Sequence, residues 1–250
     1  MKISVITITY RDGELLRRAI SSVQRQQLPP HVELEHIIVT SDTDGDALAI
    51  CEEARRAGSI VLKAEARGCY NAINKGIERA SGDIIGLLHG SDMYACDDAL
   101  AKVARIFMEN KPDFIYGDVR YIKASSPEKT LRYYSGRDFR PELLLKGIAP
   151  PHPSLYIKKD VMSAVGPYCE DYLIGADFEL FIRLFYGKRH YSHCYLPEAL
   201  TAMEIGGLST SLYNILVVNT REKMRALRSN GLAASLTAIL SRYFIHLKRK

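Results

Sequence analysis

The sequence predicts an α/β fold in which a mainly parallel sheet is flanked by helices. In the first 92 residues, runs rich in β-branched residues alternate with stretches whose apolar residues recur at helical spacing. This alternation is typical of right-handed βαβ units, which place their strands parallel. Residues 84–88 (IIGLL) form a continuous apolar run, as expected of a strand that helices cover on both faces. The 250 residues are enough to bury a full core.

The first 62 residues predict three strands and two helices in alternation. The strands are expected at residues 3–10, 33–39 and 59–62, where β-branched and apolar residues cluster. Apolar stripes at helical spacing predict helices at 15–23 and 47–57. Each helix therefore connects two consecutive strands.

The third unit begins with a helix and ends in a lone carboxylate. Ala72, Ile73, Ile77 and Ala80 recur at helical spacing, and the strand at 84–88 follows. That strand stops abruptly at the polar residues His89-Gly90-Ser91-Asp92.

The remaining chain predicts helices and strands in less regular order. Helices are expected at 98–108, 160–165 and 176–186, and a strand at 154–157. Two further strands at 114–121 and 130–134 are separated by a polar loop, as in a hairpin, and one or two strands lie within 191–203. A helical tail with a break at Ser229-Asn230-Gly231 completes the chain.

Composition restricts the class of protein. Five cysteines without a CxxC pair argue against a disulfide framework or a zinc site and indicate a reducing cytosol (Cys51, Cys69, Cys96, Cys169, Cys194). Met1-Lys2 leads directly into a strand, so no secretory signal is predicted. Residues 221–250 hold eight Lys and Arg against one acid, a net charge of +7, whereas the whole chain carries +5. Because the excess of positive charge lies in the tail, the main domain has no basic surface of the kind that binds nucleic acid. No nucleic-acid partner is therefore expected.

Three polar clusters follow predicted strands: Thr9-Tyr10, residues 41–46 and residues 89–92. In parallel strands these clusters meet at one edge of the sheet, where α/β proteins bind ligands. GxGxxG and GxxxxGK[ST] are both missing, which disfavours a dehydrogenase-like dinucleotide enzyme and excludes a P-loop. Asp92 is placed to hold a hard cation for a diphosphate, and a solvated turn aspartate is the alternative interpretation.

A second pair of carboxylates lies at the start of the helix predicted at 176–186. Asp177 could cap that helix, or it could deprotonate a hydroxyl nucleophile in a pocket. Glu179 and Arg183 are four residues apart, so a surface ion pair is the alternative to a functional role for Glu179.

The ordered series of these segments resembles the family 2 glycosyltransferases, inverting enzymes of the GT-A fold that use nucleotide-diphospho-sugars. It looks most like the small bacterial members that act in surface polysaccharide synthesis (capsule, O-antigen or colanic-acid-like). The segments that carry the resemblance are SVITITY (4–10), GCYNAINKGIERASGDIIGLLHGSDMY (68–94), YGDV (116–119), PPHPSLYIKKDV (150–161), GADFELFIRL (175–184) and MEIGGLSTS (203–211).

The resemblance implies a role for each matching residue. Asp92 would bridge Mg²⁺ or Mn²⁺ to the diphosphate, and Asp177 would be the general base. On the donor side it implies Thr9, Tyr10, Asp42, Asn71, Asn74, Lys75 and Ser91. On the acceptor side it implies His152, Asp118 and Glu179.

Two departures from the family pattern concern the donor side. His89-Gly90-Ser91 precede Asp92 where the family has a further acidic or Ser-Asp residue, which leaves Asp92 as the sole carboxylate of the motif. The second strand ends in Thr40-Ser41 instead of an aspartate that contacts the base, and Asp42 or Asp44 could substitute for it.

The resemblance implies transfer of a sugar, most readily from a UDP-sugar, to a hydroxyl of a lipid-linked saccharide. A non-catalytic nucleotide-sugar-binding or assembly subunit is the alternative. We expect a transferase domain at 1–215 and a basic amphipathic tail at 216–250. Residues 221–250, with the apolar stripe Leu232, Leu236, Ile239, Leu240, Tyr243, Phe244 and Leu247, could bind anionic lipid at the inner face of the cytoplasmic membrane or dock on the core.

Overall fold

A mixed nine-stranded sheet forms the centre of the molecule. The computed structural model describes residues 1–42, 45–65, 67–205 and 214–247. The strands in these ranges are β1 (Lys2–Thr9), β2 (Glu33–Thr40), β3 (Ile60–Lys63), β4 (Ile84–His89), β5 (Met93–Tyr94), β6 (Phe114–Ile122), β7 (Arg132–Tyr134), β8 (Tyr156–Lys158) and β9 (His193–Glu204). Their order is β3-β2-β1-β4-β8-β6-β9-β5, and β7 pairs with β6.

Eight α-helices in the described ranges connect and cover the strands. They are α1 (Glu14–Gln24), α2 (Asp46–Arg56), α3 (Cys69–Arg79), α4 (Ala99–Asn110), α5 (Lys159–Val165), α6 (Ala176–Tyr186), α7 (Asn219–Ser229) and α8 (Leu236–Leu247). Short 3₁₀ segments lie at Pro141–Lys146 and His152–Ser154, and a π-helical turn at Asn214–Val218 precedes α7.

The amino-terminal half of the sheet is parallel, as the alternation predicted. β1 pairs in parallel with β2 and β4, and β2 pairs in parallel with β3. The register places Thr9 beside Thr40 and Ile8 beside His89. The carboxyl ends of β1, β2 and β4 therefore meet at one edge of the sheet.

Beyond β4 the strands run in both directions. β8 is antiparallel to both β4 and β6, whereas β9 is parallel to β6. The predicted hairpin is confirmed, because β6 and β7 pair antiparallel. β5 pairs with β9 and places Met93 beside Ala202, so the turn after β4 lies next to the end of β9.

Alternate residues of β1 are buried on opposite faces of the sheet. Ile3 and Val5 pack in the core on the side of α1 and α4, whereas Ile6 and Ile8 pack on the side of α3 and α6. Gly86 in β4 lies against the ring of Tyr156, where a Cβ atom would be only 2.2 Å from the ring carbon Cε1. The position therefore requires glycine.

The described part of the tail packs on the rest of the chain. α7 lies on α6 and buries Ala226 and Leu227, and α8 buries Ile239. None of the helices in the described ranges combines the length and the apolar character that crossing a membrane requires.

The predicted apolar stripe of the tail is only partly buried. Leu236 and Leu240 are exposed, in contrast to Ile239 between them. The side chains of Tyr243, Phe244 and Leu247 and the basic residues 248–250 lie outside the part of the chain that the structure describes.

Candidate active site

Thr9 and Tyr10 lie where β1 reaches the ligand-binding edge of the sheet. Tyr10 is 54% exposed, and the Arg11 guanidinium lies 5.1 Å from the centre of its ring. Thr9 is buried, and its hydroxyl acts to lower the pKa of the nearby Asp12. This edge therefore presents an exposed aromatic ring beside a buried hydroxyl.

Asp42 ties the ends of β1 and β2 together. Its carboxylate accepts hydrogen bonds from the backbone N–H of Arg11, at 2.9 Å to Oδ1 and 3.2 Å to Oδ2. The backbone N–H of Asp42 donates to Thr40 Oγ1 at 3.0 Å. Asp44, the other candidate on this loop, lies outside the described residues.

Asp12 is a member of this edge that the sequence analysis missed. Its Oδ2 accepts a hydrogen bond from the backbone N–H of Tyr10 at 3.2 Å, and a Cβ atom on Gly90 would lie 2.4 Å from it. Burial raises the pKa of Asp12, and the Asp42 charge acts in the same direction. Its position directly after the first strand is the signal that could have revealed it.

Asp92 is buried in the turn after β4 and faces the end of β9. Its Oδ1 accepts a hydrogen bond from the backbone N–H of Glu204 at 3.1 Å. Arg18 Nη2 donates to the carbonyl oxygen of Ser91 at 3.0 Å and to Glu204 Oε2 at 3.1 Å. Burial raises the pKa of Asp92 to about 7, and the charge of Asp12 acts in the same direction. Arg18 and Glu204, which the sequence analysis did not single out, thus hold the turn that carries Asp92.

A single carboxylate fits a cation that is shared with a substrate. The described residues contain no group of three or more His, Cys, Asp or Glu side chains arranged to hold a metal alone. Mg²⁺ is commonly held by one or two carboxylates together with substrate phosphates and water. The hard oxygen donors of Asp92 suit such an ion, and ionisation of this buried carboxylate is favoured when a cation binds beside it.

Asp177 is the second residue of α6, which begins at Ala176 after the N-cap residue Gly175. The carboxylate is half-buried, and its Oδ1 accepts a hydrogen bond from the backbone N–H of Phe178 at 2.7 Å. The N-cap position of α6 is occupied by Gly175, and the Asp177 carboxylate bonds the next N–H inside the first turn. A hydrogen bond to one oxygen leaves the carboxylate able to accept a proton from a ligand.

The charge of Asp177 acts on two histidines, His89 at the end of β4 and His152 in the 3₁₀ segment at His152–Ser154. Burial lowers the pKa of His89 to about 4, the charge of His152 lowers it further, and the Asp177 charge opposes both effects. Burial also lowers the pKa of His152, whose Nε2 lies 2.8 Å from the Tyr168 hydroxyl. The Asp177 charge therefore acts on two imidazoles whose pKa values are lowered, and one of them, His89, ends the strand that precedes Asp92.

Tyr70 on α3 contacts the start of α6. Its hydroxyl accepts a hydrogen bond from the backbone N–H of Ala176 at 3.2 Å. The Tyr70 ring stacks on that of Tyr168, with 5.9 Å between the ring centres. Burial raises the pKa of the Tyr70 hydroxyl, and the Asp177 charge adds to this shift.

The other two acceptor-side residues have protein partners. Asp118 is buried and accepts hydrogen bonds from the hydroxyls of Tyr133 and Tyr195 and from the backbone N–H of Gly136. Glu179 forms the expected ion pair with Arg183 at 2.8 Å, but the pair is largely buried. These carboxylates hold loops and helices in place in the structure.

The predicted donor residues of α3 also contact other segments. Asn74 is buried and bonds both the carbonyl oxygen and the N–H of Tyr168, at 2.8 and 2.9 Å. Asn71 Nδ2 donates to Glu170 Oε2 at 2.9 Å, and Lys75 Nζ donates to the carbonyl oxygen of Lys63. Asn71 and Asn74 thus link α3 to the loop at 168–170.

The fold is that of the GT-A glycosyltransferases. S. aureus TarS 1-349, solved in complex with UDP, superposes with a TM-score of 0.70 over 98% of this chain and 72% of its own, at 16% identity. The mannosyltransferase PcManGT from Pyrobaculum calidifontis, solved with GDP-Man and Mn²⁺, superposes with a TM-score of 0.60 over 99% of this chain and 80% of its own, at 17% identity.

The sequence comparisons specify the family. The family model "Glycosyl transferase family 2" matches residues 4–162, and the chain belongs to this family of enzymes. An uncharacterized glycosyltransferase of Mycobacterium tuberculosis is 25% identical over 72% of this chain and 68% of its own length. A PGL/p-HBAD biosynthesis glycosyltransferase of Mycobacterium bovis is 26% identical over 84% of this chain and 79% of its own. The segment MEIGGLSTS lies outside the described residues from position 206 onward.

Proposed function

We propose that this enzyme transfers a hexose from a nucleotide-diphospho-sugar to a hydroxyl of a lipid-linked saccharide, with inversion at the anomeric carbon. The observation that carries the proposal is the arrangement of two carboxylates around the end of β4. Asp92 follows that strand. Asp177 lies at the start of α6, which Tyr70 contacts, and the Tyr70 ring stacks on Tyr168, the hydrogen-bond partner of His152. The Asp177 charge also acts on the pKa of His89, the last residue of β4. We assign Asp92 to the leaving diphosphate and Asp177 to the attacking hydroxyl.

In the proposed mechanism, Asp177 takes the proton of the acceptor hydroxyl as its oxygen attacks the anomeric carbon. The new carbon–oxygen bond forms on the face opposite the diphosphate, and the bond to the diphosphate breaks, which inverts the configuration. Asp92 would hold Mg²⁺ or Mn²⁺, which supplies positive charge to the leaving diphosphate. Because the lowered pKa values of His89 and His152 keep both imidazoles neutral near pH 7, neither offers Asp177 a positive charge to pair with.

For the donor we propose a UDP-sugar bound across the ends of β1, β2 and β4. The exposed ring of Tyr10 can stack on the base, and it is flanked by Thr9 and by Arg11, whose N–H Asp42 binds. We assign Ser91, beside Asp92, to the diphosphate side. We assign Asn71, Asn74 and Lys75 to the donor-side wall, where the two asparagines bond the loop at 168–170. TarS is solved with UDP and with UDP-GlcNAc, which supports a UDP-sugar as the donor. PcManGT is solved with GDP-Man, so a GDP-sugar is the alternative donor.

For the acceptor we propose a saccharide on a membrane lipid, in the synthesis of a cell-surface glycan at the inner face of the cytoplasmic membrane. The PGL/p-HBAD relative acts in the biosynthesis that its name states, which supports a glycoconjugate product. We assign His152, Asp118 and Glu179 to the acceptor side, the last two as residues that shape the site through their partners.

The outer face of α7 supports the membrane partner. Arg221, Arg225 and Arg228 recur at positions that place them on one helix face, and with Met224 and Ser229 they line an open groove of about 500 Å³. Arg225 also contacts Asp171 and Tyr172, so Arg221 and Arg228 carry the proposed lipid contact. Basic side chains on a helix are attracted to anionic lipid headgroups. We therefore assign the anionic membrane contact to this face, which we call the basic face.

Turnover tests the proposed function. We would measure nucleoside diphosphate release from UDP-glucose, UDP-GlcNAc and GDP-mannose, with Mn²⁺ and an organic-solvent extract of bacterial membranes as the source of acceptor. The expected result is extract-dependent release from one donor, lost in Asp92→Asn and Asp177→Asn. Nucleotide binding without turnover of any donor would favour the non-catalytic subunit instead.

A further inference from the structure

Glu222 on α7 contacts the loop that precedes Asp177. Glu222 Oε1 accepts a hydrogen bond from the backbone N–H of Leu173 at 2.7 Å, and Glu222 Oε2 accepts one from Ile174 at 3.0 Å. The same side chain packs on Gly175, where a Cβ atom would lie 3.0 Å from both Cβ and Oε2 of Glu222. One side chain thus contacts three consecutive residues, and Asp177 follows two residues later.

Two other residues of α7 hold the flanks of this loop. Arg225 donates to the carbonyl oxygen of Asp171 at 3.2 Å, and its guanidinium lies 4.6 Å from the centre of the Tyr172 ring. Lys223 Nζ lies 4.8 Å from the centre of the ring of Phe178, the residue after Asp177. Contacts from α7 therefore run along the chain from Asp171 to Phe178.

The Glu222 contacts are charge-assisted hydrogen bonds to two adjacent backbone N–H groups. Hydrogen bonds from backbone N–H groups to an ionised carboxylate are shorter and roughly twice as strong as those between neutral groups. Two bonds from adjacent N–H groups also fix the orientation of the peptide between them. A base works only when it lies within hydrogen-bond reach of the proton it takes, so small displacements of the loop reduce the rate steeply.

We propose that Glu222 is a positioning residue for Asp177, so that the tail helix α7 is part of the catalytic apparatus. This inference rests on the proposed role of Asp177 as the general base. Glu222 touches no reacting atom itself, and it acts through the loop at 173–175. Its removal should lower the rate of transfer and leave donor binding unchanged.

A double-mutant cycle with Asp177 tests the inference. We would measure kcat and KM in the donor turnover assay for Glu222→Gln, Glu222→Ala, Asp177→Asn and Asp177→Asn/Glu222→Ala. We expect Glu222→Ala to lower kcat about 10-fold or more, with KM for the donor changed less than about 2-fold. Glu222→Gln should lose less, because its remaining carbonyl oxygen still accepts one of the two hydrogen bonds.

The cycle separates positioning from a merely structural role. If Glu222 acts through Asp177, Glu222→Ala adds little further loss in the Asp177→Asn background. An equal loss of kcat in both backgrounds, or a matching loss of donor affinity, would overturn the inference. Glu109→Ala, which removes an exposed carboxylate at the end of α4, is the matched control, and we expect its kcat to equal that of the unmodified chain.

Hydrogen exchange supplies a readout that does not depend on turnover. Peptides that cover residues 171–178 should exchange faster in Glu222→Ala than in the unmodified chain, while peptides from β1 and β4 keep their rates. Unchanged exchange at 171–178 would contradict the proposed clamp, even if kcat falls. If Asp177→Asn retains full turnover, the proposed function fails instead, and the exchange result still reports whether the clamp exists.

Discussion

The two ends of the active site are built in different ways. At the donor edge, the backbone pairing of neighbouring parallel strands sets Thr9 beside Thr40 and Ile8 beside His89, and Asp42 follows shortly after β2. At the base end, side chains from distant parts of the chain hold the start of α6, namely Glu222 from 48 to 49 residues away and Tyr70 from 106 residues away. Strand topology therefore fixes the donor edge, whereas individual long-range contacts fix the base.

This difference predicts which substitutions act on which half of the reaction. Changes at the donor edge should alter nucleotide affinity, because this edge holds the residues that we assign to the nucleotide. Changes at the base end should alter the rate of transfer and leave nucleotide affinity intact.

The largest expected effect is that of Asp177→Asn. Loss of a general base typically lowers the rate about 10²- to 10⁴-fold, and donor affinity should stay within about 2-fold. Asp160→Asn is the matched control, because Asp160 is likewise the second residue of its helix and its Oδ1 accepts a hydrogen bond from the next backbone N–H, at 2.8 Å. Equal losses in the two variants would show that the carboxylate serves the helix start alone.

The opposite edge of the sheet provides a stability test outside the site. Burial acts to raise the pKa of Glu35, but hydrogen bonds from Ser4, Ser81 and Lys2 outweigh it and lower the pKa to about 2. Because the folded-state pKa lies below the unfolded value of 4.5, ionised Glu35 stabilises the fold above about pH 4.5, and this contribution is lost as the pH falls toward 2.

Glu35→Gln should therefore destabilise the protein by roughly 3 kcal/mol at pH 7 and by much less near pH 2. Urea unfolding at both pH values measures this difference. Glu33→Gln, at an exposed position of the same strand, is the control. A loss that is independent of pH would assign the effect to packing instead of charge.

Substitutions on the basic face should have a smaller effect than those at Asp177 and Glu35, and this effect is on membrane binding. Each arginine near an anionic surface contributes about 1 kcal/mol, so Arg221→Gln/Arg228→Gln should weaken binding to phosphatidylglycerol-containing vesicles about 30-fold. Sedimentation with vesicles measures this, and Arg55→Gln/Arg56→Gln on α2 controls for net charge. Equal losses in both double variants, or equal binding to neutral phosphatidylcholine vesicles, would count against a specific basic face.

The smallest expected effect is a donor-edge change at Gly90. Its Cβ would meet Asp12 Oδ2 at 2.4 Å and Thr9 at 3.0 Å, so Gly90→Ala must shift this edge and should weaken nucleotide binding about 10-fold, the equivalent of about 1.4 kcal/mol. Gly136→Ala crowds the Tyr116 ring, at 2.9 Å, away from the donor edge. Nucleotide affinity that falls equally in both variants would contradict the division between the two ends of the site.

Most of the fold could be predicted because hydrophobic periodicity is a local signal. The strand at 114–121, its hairpin partner and the helix at 176–186 were found at or near their observed bounds. The positions of Thr9 and Asp92 followed from the rule that parallel strands end at a common edge.

Side-chain partners could not be predicted in the same way. Asp12 lies in a turn that packs against Gly90, a contact between distant parts of the chain. Glu204 and Glu222 act through contacts with residues 112 and 48 to 49 positions away, which no local pattern encodes. The bonds between Asn74 and the backbone of Tyr168 are of the same long-range kind. The division of the chain at residue 215 remains a prediction.

The most direct test of the two-carboxylate site is a calorimetric titration of UDP and GDP with and without Mn²⁺. We predict that one nucleotide, UDP, binds the unmodified chain in a Mn²⁺-dependent manner. Asp92→Asn should lose the dependence on Mn²⁺, and Asp177→Asn should bind UDP as the unmodified chain does. Binding that ignores both Mn²⁺ and Asp92 would contradict the assignment of the carboxylate after β4 to the leaving diphosphate.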